Sequence, residues 1–168
     1  MKKYLSLLHP VIFLFLVGCH SSSDSVFEKI LISESGDFRG VSIRSFAEEV
    51  KQIESIPPKN PESDYLFYEF PLDGNEEFYT VGYSFNEKGL YEILLDVNLA
   101  QTQDALQLFK DLKENFELRY GNPKQEDETT VVWTIKSKKS EEVEVTLSDE
   151  SASYNSGKIS VSFYDLAY

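Results

Sequence analysis

The chain has 168 residues, with 16 Lys or Arg against 29 Asp or Glu, which gives a formal net charge of −13. This acidic excess argues against binding to nucleic acid or to anionic lipid headgroups, because both would be repelled. The length suffices for one domain with its own core, and the aromatic content of 14% argues against disorder.

The N-terminus has the pattern of a signal peptide. A basic start, Met1-Lys2-Lys3, is followed by an uncharged apolar run over 11–17. That run is shorter than the roughly 20 residues that a membrane-spanning helix needs. The next tetrad, Leu16-Val17-Gly18-Cys19, resembles the lipobox of bacterial lipoproteins. The resemblance implies a signal peptide over 1–18, cleavage between Gly18 and Cys19, and lipid on the Cys19 thiol. An ordinary secretory signal with a chance cysteine is the alternative.

Lipidation would leave a tethered, exported domain. Residues 19–25 then form a lipidated, flexible polar spacer, and the lipid on Cys19 anchors the chain to a membrane. His20, where some lipoproteins have Asp, resembles the default for outer-membrane delivery, facing the periplasm, if the host is Gram-negative. Loss of Lys2 and Lys3 with the signal peptide would change the net charge from −13 to −15. This charge indicates either plain solubility or an acidic face for a basic partner.

The first half of the domain predicts one helix and three strands. Residues 26–32 are apolar and ambiguous between helix and strand. The apolar spacing predicts a helix over 43–53, with Ser42 as a nearby N-cap and Pro57-Pro58 ending it. Strands are predicted over 65–70, 77–85 and 90–98, paired as an antiparallel meander. The residues predicted to face inward are Ile43, Phe46, Ala47, Val50 and Ile53 in the helix, Tyr79, Val81, Tyr83 and Phe85 in the second strand, and Tyr91, Ile93, Leu95 and Val97 in the third.

The second half repeats this order. A helix is predicted over 103–120, ended by Gly121-Asn122-Pro123. Strands are predicted over 130–135, 141–147 and 158–164. The inward residues of the helix are Ala105, Leu108, Phe109, Leu112 and Phe116.

The sequence therefore predicts an α+β fold of order helix-βββ-helix-βββ. Two helices are expected to pack on one face of a curved antiparallel sheet of about six strands, within a single domain over 26–168. An offset of 65 residues superposes much of the two halves, for example Tyr68 on Trp133. The halves are either tandem units, about 38–99 and 102–168, or similar only because any two helix-plus-meander units look alike.

One segment resembles a known module. The order of elements over 42–95, with Glu48-Glu49-Val50 in the helix and the hairpin over 79–93, resembles the small α+β domain of outer-membrane lipoproteins that assist β-barrel assembly. Two such units in tandem resemble the architecture of β-lactamase inhibitor proteins. These resemblances imply an envelope protein that acts by binding another protein.

The residues predict no catalytic, metal or cofactor site. His9 would leave with the signal peptide and His20 lies beside the lipid, so neither a Ser/His/Asp arrangement nor a histidine zinc site can be built. The run 73–77 lacks the spacing of an EF-hand loop and favours a hairpin turn over a calcium turn. A pair of carboxylates doing acid–base chemistry stays open as a third class of function.

The favoured function is non-enzymatic protein binding or scaffolding in the cell envelope, and the alternative is an inhibitor or immunity-type protein that neutralises a basic enzyme or toxin. Tyrosine offers rigid contact area with a polar end. The candidate partner-binding residues are Tyr65, Tyr68, Tyr79, Tyr83 and Tyr91. They could instead pack under the helices.

Mass spectrometry of the native protein tests the anchor. We expect the mature chain to begin at Cys19 with diacylglycerol on its sulfur, and Cys19→Ala to abolish membrane retention because no acyl chain can then be attached. An unmodified thiol, or a chain that keeps Met1, would contradict the prediction.

Overall fold

The computed structural model describes residues 25–61, 64–73, 76–140 and 142–168. The predictions on 1–24, including the lipobox and nearly all of the spacer, lie outside these residues, as do Gly74 and Asn75 of the proposed turn. The helices are Val26–Ile30 (α1), Ala47–Ile53 (α2), Thr102–Tyr120 (α3) and Ser151–Tyr154 (α4). The strands are Tyr65–Pro71 (β1), Phe78–Asn86 (β2), Gly89–Leu99 (β3), Lys124–Gln125 (β4), Thr130–Ile135 (β5), Val143–Asp149 (β6) and Gly157–Asp165 (β7).

The strands form one antiparallel sheet in the order β1-β2-β3-β7-β6-β5-β4. Two meanders meet where the last strand of the first, β3, pairs with the last strand of the second, β7. The α+β class and the antiparallel sheet are thus confirmed. The described sheet has seven strands instead of about six, because two residues after α3 pair with β5 as β4. The tandem relation of the two halves stays a prediction.

One face of the sheet is covered by helices. Helix α3 packs mainly on β7 and β6, and its predicted inward face is confirmed, with Ala105, Leu108, Leu112 and Phe116 buried. The Phe116 ring meets Trp133 and Phe163 edge-on, with centroids 5.6 and 5.8 Å apart. Gly121 ends the helix at φ +86°, a backbone geometry that a side chain disfavours. No helix among the described residues is long and apolar enough to cross a bilayer.

The first predicted helix is too long at its N-terminus. Residues 43–46 are not helical, and the N-cap position is Phe46, not Ser42. The reason is tertiary: the Ile43 N–H donates to the Asp37 carboxylate at 2.8 Å, and the Arg44 N–H donates to the Leu90 carbonyl at 2.7 Å. These bonds hold 43–44 in a turn beside the β2–β3 hairpin, in which the Ser45 N–H donates to the Ser42 carbonyl at 3.0 Å. Phe46 is consequently 62% exposed, which contradicts its predicted inward position.

A β-bulge overturns the predicted orientation of Tyr91. The pairing of β2 with β3 shifts register between Ser84 and Phe85, so Phe85 pairs with Leu90 while Ser84 pairs with Glu92. Leu90 is buried, and Tyr91 lies on the opposite face from Ile93. A bulge inserts one extra residue and so reverses the alternation beyond it.

A buried ion pair joins the N-terminal segment to the sheet. Arg39 and Glu54 are 1% and 5% exposed, and the guanidinium donates to both carboxylate oxygens, at 3.0 and 2.8 Å. Arg39 also donates to the Ile30 carbonyl at the end of α1. From β2, the Tyr83 hydroxyl donates to Glu54. Burial alone would lower the pKa of Arg39, but the hydrogen bond and charge of Glu54 outweigh it and raise that pKa.

Two buried aspartates join the same segment to the second meander. Asp37 accepts a hydrogen bond from the Ser137 hydroxyl at 2.6 Å. Asp165 pairs with Arg44 and accepts from Ser140 at 2.8 Å. Burial would raise the pKa of Asp165, but these hydrogen bonds lower it. Residues 37–44 therefore connect with both halves of the sheet.

Glu54→Gln tests the buried pair. We expect a loss of about 3–5 kcal/mol in the free energy of unfolding, because the Arg39 charge stays buried without a counter-charge. Urea denaturation monitored by circular dichroism measures this loss. The matched control is Glu48→Gln, which removes an exposed pair with Lys51 and should cost at most about 0.5 kcal/mol. Equal costs for the two variants would contradict the prediction.

The buried tyrosines predict a stability that falls at alkaline pH. Burial, followed by the Glu54 charge, raises the pKa of Tyr83 well above its ordinary value, and burial raises the pKa of Tyr68 and of Tyr120 to about 12. Above about pH 10 the unfolded chain loses phenolic protons that the folded chain keeps, so stability present below that pH is lost as pH rises.

We expect Tyr83→Phe to make this loss shallower, although it lowers stability at neutral pH by removing a donor to Glu54. Urea denaturation at a series of pH values on either side of 10 measures both effects. An unchanged slope would show that Tyr83 does not contribute to the alkaline loss.

Candidate functional site

The side of the sheet opposite α1, α2 and α3 is the candidate site, and we call it the open face. Its residues are the alternate positions of six strands, whose side chains point away from these helices. They are Tyr65, Phe67 and Glu69 of β1, Thr80, Gly82 and Ser84 of β2, Glu92, Leu94 and Asp96 of β3, Ser160, Ser162 and Tyr164 of β7, Glu144, Thr146 and Ser148 of β6, and Thr130, Val132 and Thr134 of β5.

The β1 side of the open face is apolar. Tyr65 and Phe67 stack with ring centroids 6.3 Å apart. Gly82, which lies opposite Phe67 in the register, lets the Tyr65 ring lie across β2, since a Cβ there would lie 2.8 Å from the Tyr65 hydroxyl oxygen. Leu94 follows in the same row and is 39% exposed. Three apolar side chains thus share one patch of surface.

Three tyrosines cluster at one end of the same face. Tyr91 stacks on Tyr168 with centroids 4.1 Å apart. Tyr164 is nearly perpendicular to both rings, at 88° and 74°, with centroids 6.2 Å away in each case. The bulge in β3 makes this cluster possible, because it turns Tyr91 toward Tyr164. We call Tyr91, Tyr164 and Tyr168 the tyrosine cluster.

Small hydroxyl side chains separate these features from the β5 side of the sheet. Ser162 and Thr146 continue the row of Leu94 across β7 and β6. Farther along, the Ser148 hydroxyl donates to Thr130 Oγ1 at 3.3 Å. Short side chains leave this part of the face low, so a partner surface could approach the sheet closely.

The acidic residues of the open face differ in their partners. Asp96 forms an ion pair with Lys158 at 2.9 Å, and Glu69 forms one with Lys59. Glu92 accepts a hydrogen bond from the Ser84 hydroxyl at 3.1 Å. Among the described residues, neither Glu92 nor Glu144 forms an ion pair.

Partial burial and these carboxylates also raise the pKa values of two tyrosines of the open face. Burial, then the charges of Glu92 and Asp96, raise the pKa of Tyr65. Burial and the neighbouring Tyr168 and Glu92 raise the pKa of Tyr91, against a lowering effect of Ser84. Both phenols are therefore neutral at physiological pH and can donate hydrogen bonds.

The five predicted tyrosines divide between the two sides of the sheet. Tyr68, Tyr79 and Tyr83 are at most 4% exposed and face the helices, so their prediction as partner-binding residues is corrected. The reason is strand alternation, which places them with the core residues of β1 and β2. Tyr65 and Tyr91 do lie on the open face.

Sequence reasoning missed several residues of this face. Phe67 could have been found because it lies two positions from Tyr65 on one strand. Leu94 could have been found because it interrupts an otherwise polar alternation with Glu92 and Asp96. Tyr164 had no local signal, since its role depends on the pairing of β3 with β7.

The described residues contain no His or Cys, and no group of three or more metal-ligating side chains occurs among them. Asp73, in the run that favours a hairpin turn over a calcium turn, pairs with Lys29. The grooves beside α3 are shallow, and one of about 200 Å³ lies between α1 and α3.

The comparisons with known proteins gave no relatives. No family model matched the chain, and neither the curated proteins nor the solved structures contained a match.

Proposed function

We propose that this chain is a lipid-anchored protein of the cell envelope that has no catalytic role and binds a protein partner through its open face. The observation that carries the proposal is the apolar patch of Tyr65, Phe67 and Leu94, which none of the described helices covers. Contiguous apolar surface of this kind is typical of interaction sites, and aromatic residues are enriched at their centres.

The position of the tether supports an open face that points away from the membrane. The anchor proposed at Cys19 precedes Val26 by seven residues, which span at most about 25 Å. Helix α1, which begins at Val26, packs against α3 on the helix-covered side. The helices would then lie toward the membrane, and the open face would point away from it. In a Gram-negative host the open face would then lie in the periplasm, with the anchor in the outer membrane.

A second candidate is an inhibitor or immunity-type protein for a basic enzyme or toxin. Glu92 and Glu144 favour it, because both are carboxylates of the open face without an ion-pair partner among the described residues. The net charge, −13 for the full chain and −15 after the loss of Lys2 and Lys3, adds long-range attraction for a basic protein. The resemblance to β-lactamase inhibitors agrees with this candidate, and the resemblance to barrel-assembly lipoproteins agrees with the first.

Photo-crosslinking in cells of the native host tests the proposal. A photoreactive amino acid at position 94 should crosslink one envelope protein, whereas the same residue at position 106 should not. Leu106 is the matched control, because it is 38% exposed but lies on α3. Crosslinking only at 106, or equally at both positions, would contradict binding through the open face.

The identity of the crosslinked protein, determined by mass spectrometry, separates the two candidates. Barrel-assembly or other envelope machinery supports the scaffold role, and a single basic enzyme supports the inhibitor. An unlabelled Leu94→Asp competitor should lose the ability to reduce crosslinking, because it places a charge in the apolar patch, whereas Leu106→Asp should still compete.

A further inference from the structure

We propose that the tyrosine cluster, with Glu92 and Glu144, is the docking point for an arginine or lysine side chain of the partner protein. This inference rests on the proposed function and names the chemistry that the partner must present. It starts from two carboxylates that the fold holds beside one aromatic ring.

The strand register fixes the arrangement. Glu92 of β3 pairs with Tyr164 of β7, and Tyr164 pairs with Glu144 of β6. All three side chains are therefore in one row of the open face, and the Cα atoms of the two glutamates are about 10 Å apart, two strand spacings. A cation above Tyr164 would be close to both carboxylates.

The aromatic rings suit a cation as well. Tyr91 and Tyr168 stack at 4.1 Å and are nearly perpendicular to Tyr164, so the cluster offers ring faces in two directions. Arginine stacks on aromatic faces and binds carboxylates through a planar fork, and lysine supplies a point charge. Tyr168 is 62% exposed, which keeps the cluster accessible.

Charge complementarity selects a basic occupant. Asp96, on the same face, has Lys158 of this chain beside it. Glu92 and Glu144 have none among the described residues, so an incoming cation displaces no resident one. A second copy of this chain would bring the same negative charges to the face and be repelled.

The test uses the full-length chain in non-ionic detergent and the probe acetyl-Gly-Arg-Gly-amide. Nuclear magnetic resonance follows the tyrosine ring signals during the titration. We expect the signals of the tyrosine cluster to shift, and the analogue with citrulline in place of arginine to shift them far less. The citrulline analogue keeps the shape of the probe but has no charge.

A pair of charge-matched variants separates local from general attraction. Glu92→Gln with Glu144→Gln should raise the Kd for the probe about tenfold, since it removes both neighbouring carboxylates. Glu34→Gln with Glu114→Gln removes the same charge from exposed positions outside the sheet and should change the Kd less than about twofold. Tyr164→Phe keeps the ring face and should retain binding, whereas Tyr164→Leu should weaken it.

Any of three results would overturn the inference. They are equal weakening of binding in both double variants, equal binding of the citrulline analogue, and shifts of tyrosine ring signals outside the cluster. Thermal unfolding by circular dichroism checks that each variant is folded. If the probe does not bind while the crosslink at position 94 persists, the basic docking point is wrong and the proposed function stands. If the crosslink is also absent, the open face itself is not the binding surface.

Discussion

The buried pair of Arg39 and Glu54 is the interaction on which the arrangement of the domain depends. It joins the carbonyl end of α1, the last turn of α2 and strand β2 through Tyr83. Two desolvated charges are costly unless their hydrogen bonds are satisfied. Here the guanidinium also lies over the ring of Phe70, 5.2 Å from its centroid. The N-terminal segment is therefore held on one side of the sheet.

This placement determines which side of the sheet is left for a partner. The core tyrosines of β1 and β2 lie on the side of Arg39 and Glu54, where their rings pack in the core and the hydroxyl groups of Tyr79 and Tyr83 donate to Lys29 and Glu54. Strand alternation sends their neighbours, Tyr65 and Phe67, to the other side. No described helix returns to cover them. The same alternation that builds the core thus creates an aromatic surface opposite to it.

The sequence predicted what depends on local pattern and missed what depends on distant partners. The face of α3 that contains Phe116 follows from helical spacing, and β5 has the predicted bounds. The path at Ile43 could not be predicted, because its hydrogen bonds go to a separate loop. Tyr91 turned to the open face because of a bulge whose register is set by pairing. Arg39 and Glu54, 15 residues apart, have no local signature. On the open face, Leu94 was missed but could have been found from the sequence, because it is an apolar residue in a polar alternation.

The carboxylates of the open face differ in whether they have an ion-pair partner, and this difference bears on how the face would bind a partner protein. Glu92 and Glu144 are half-buried, so water still reaches each carboxylate and folding does not require an ion-pair partner for either. The chain nevertheless supplies Lys158 to Asp96 within the same sheet. A partner cation would therefore find two carboxylates beside an aromatic ring at one end of the face and apolar contacts at Leu94 nearby. Apolar area then supplies affinity and the charges supply orientation, which is how protein interfaces divide these tasks.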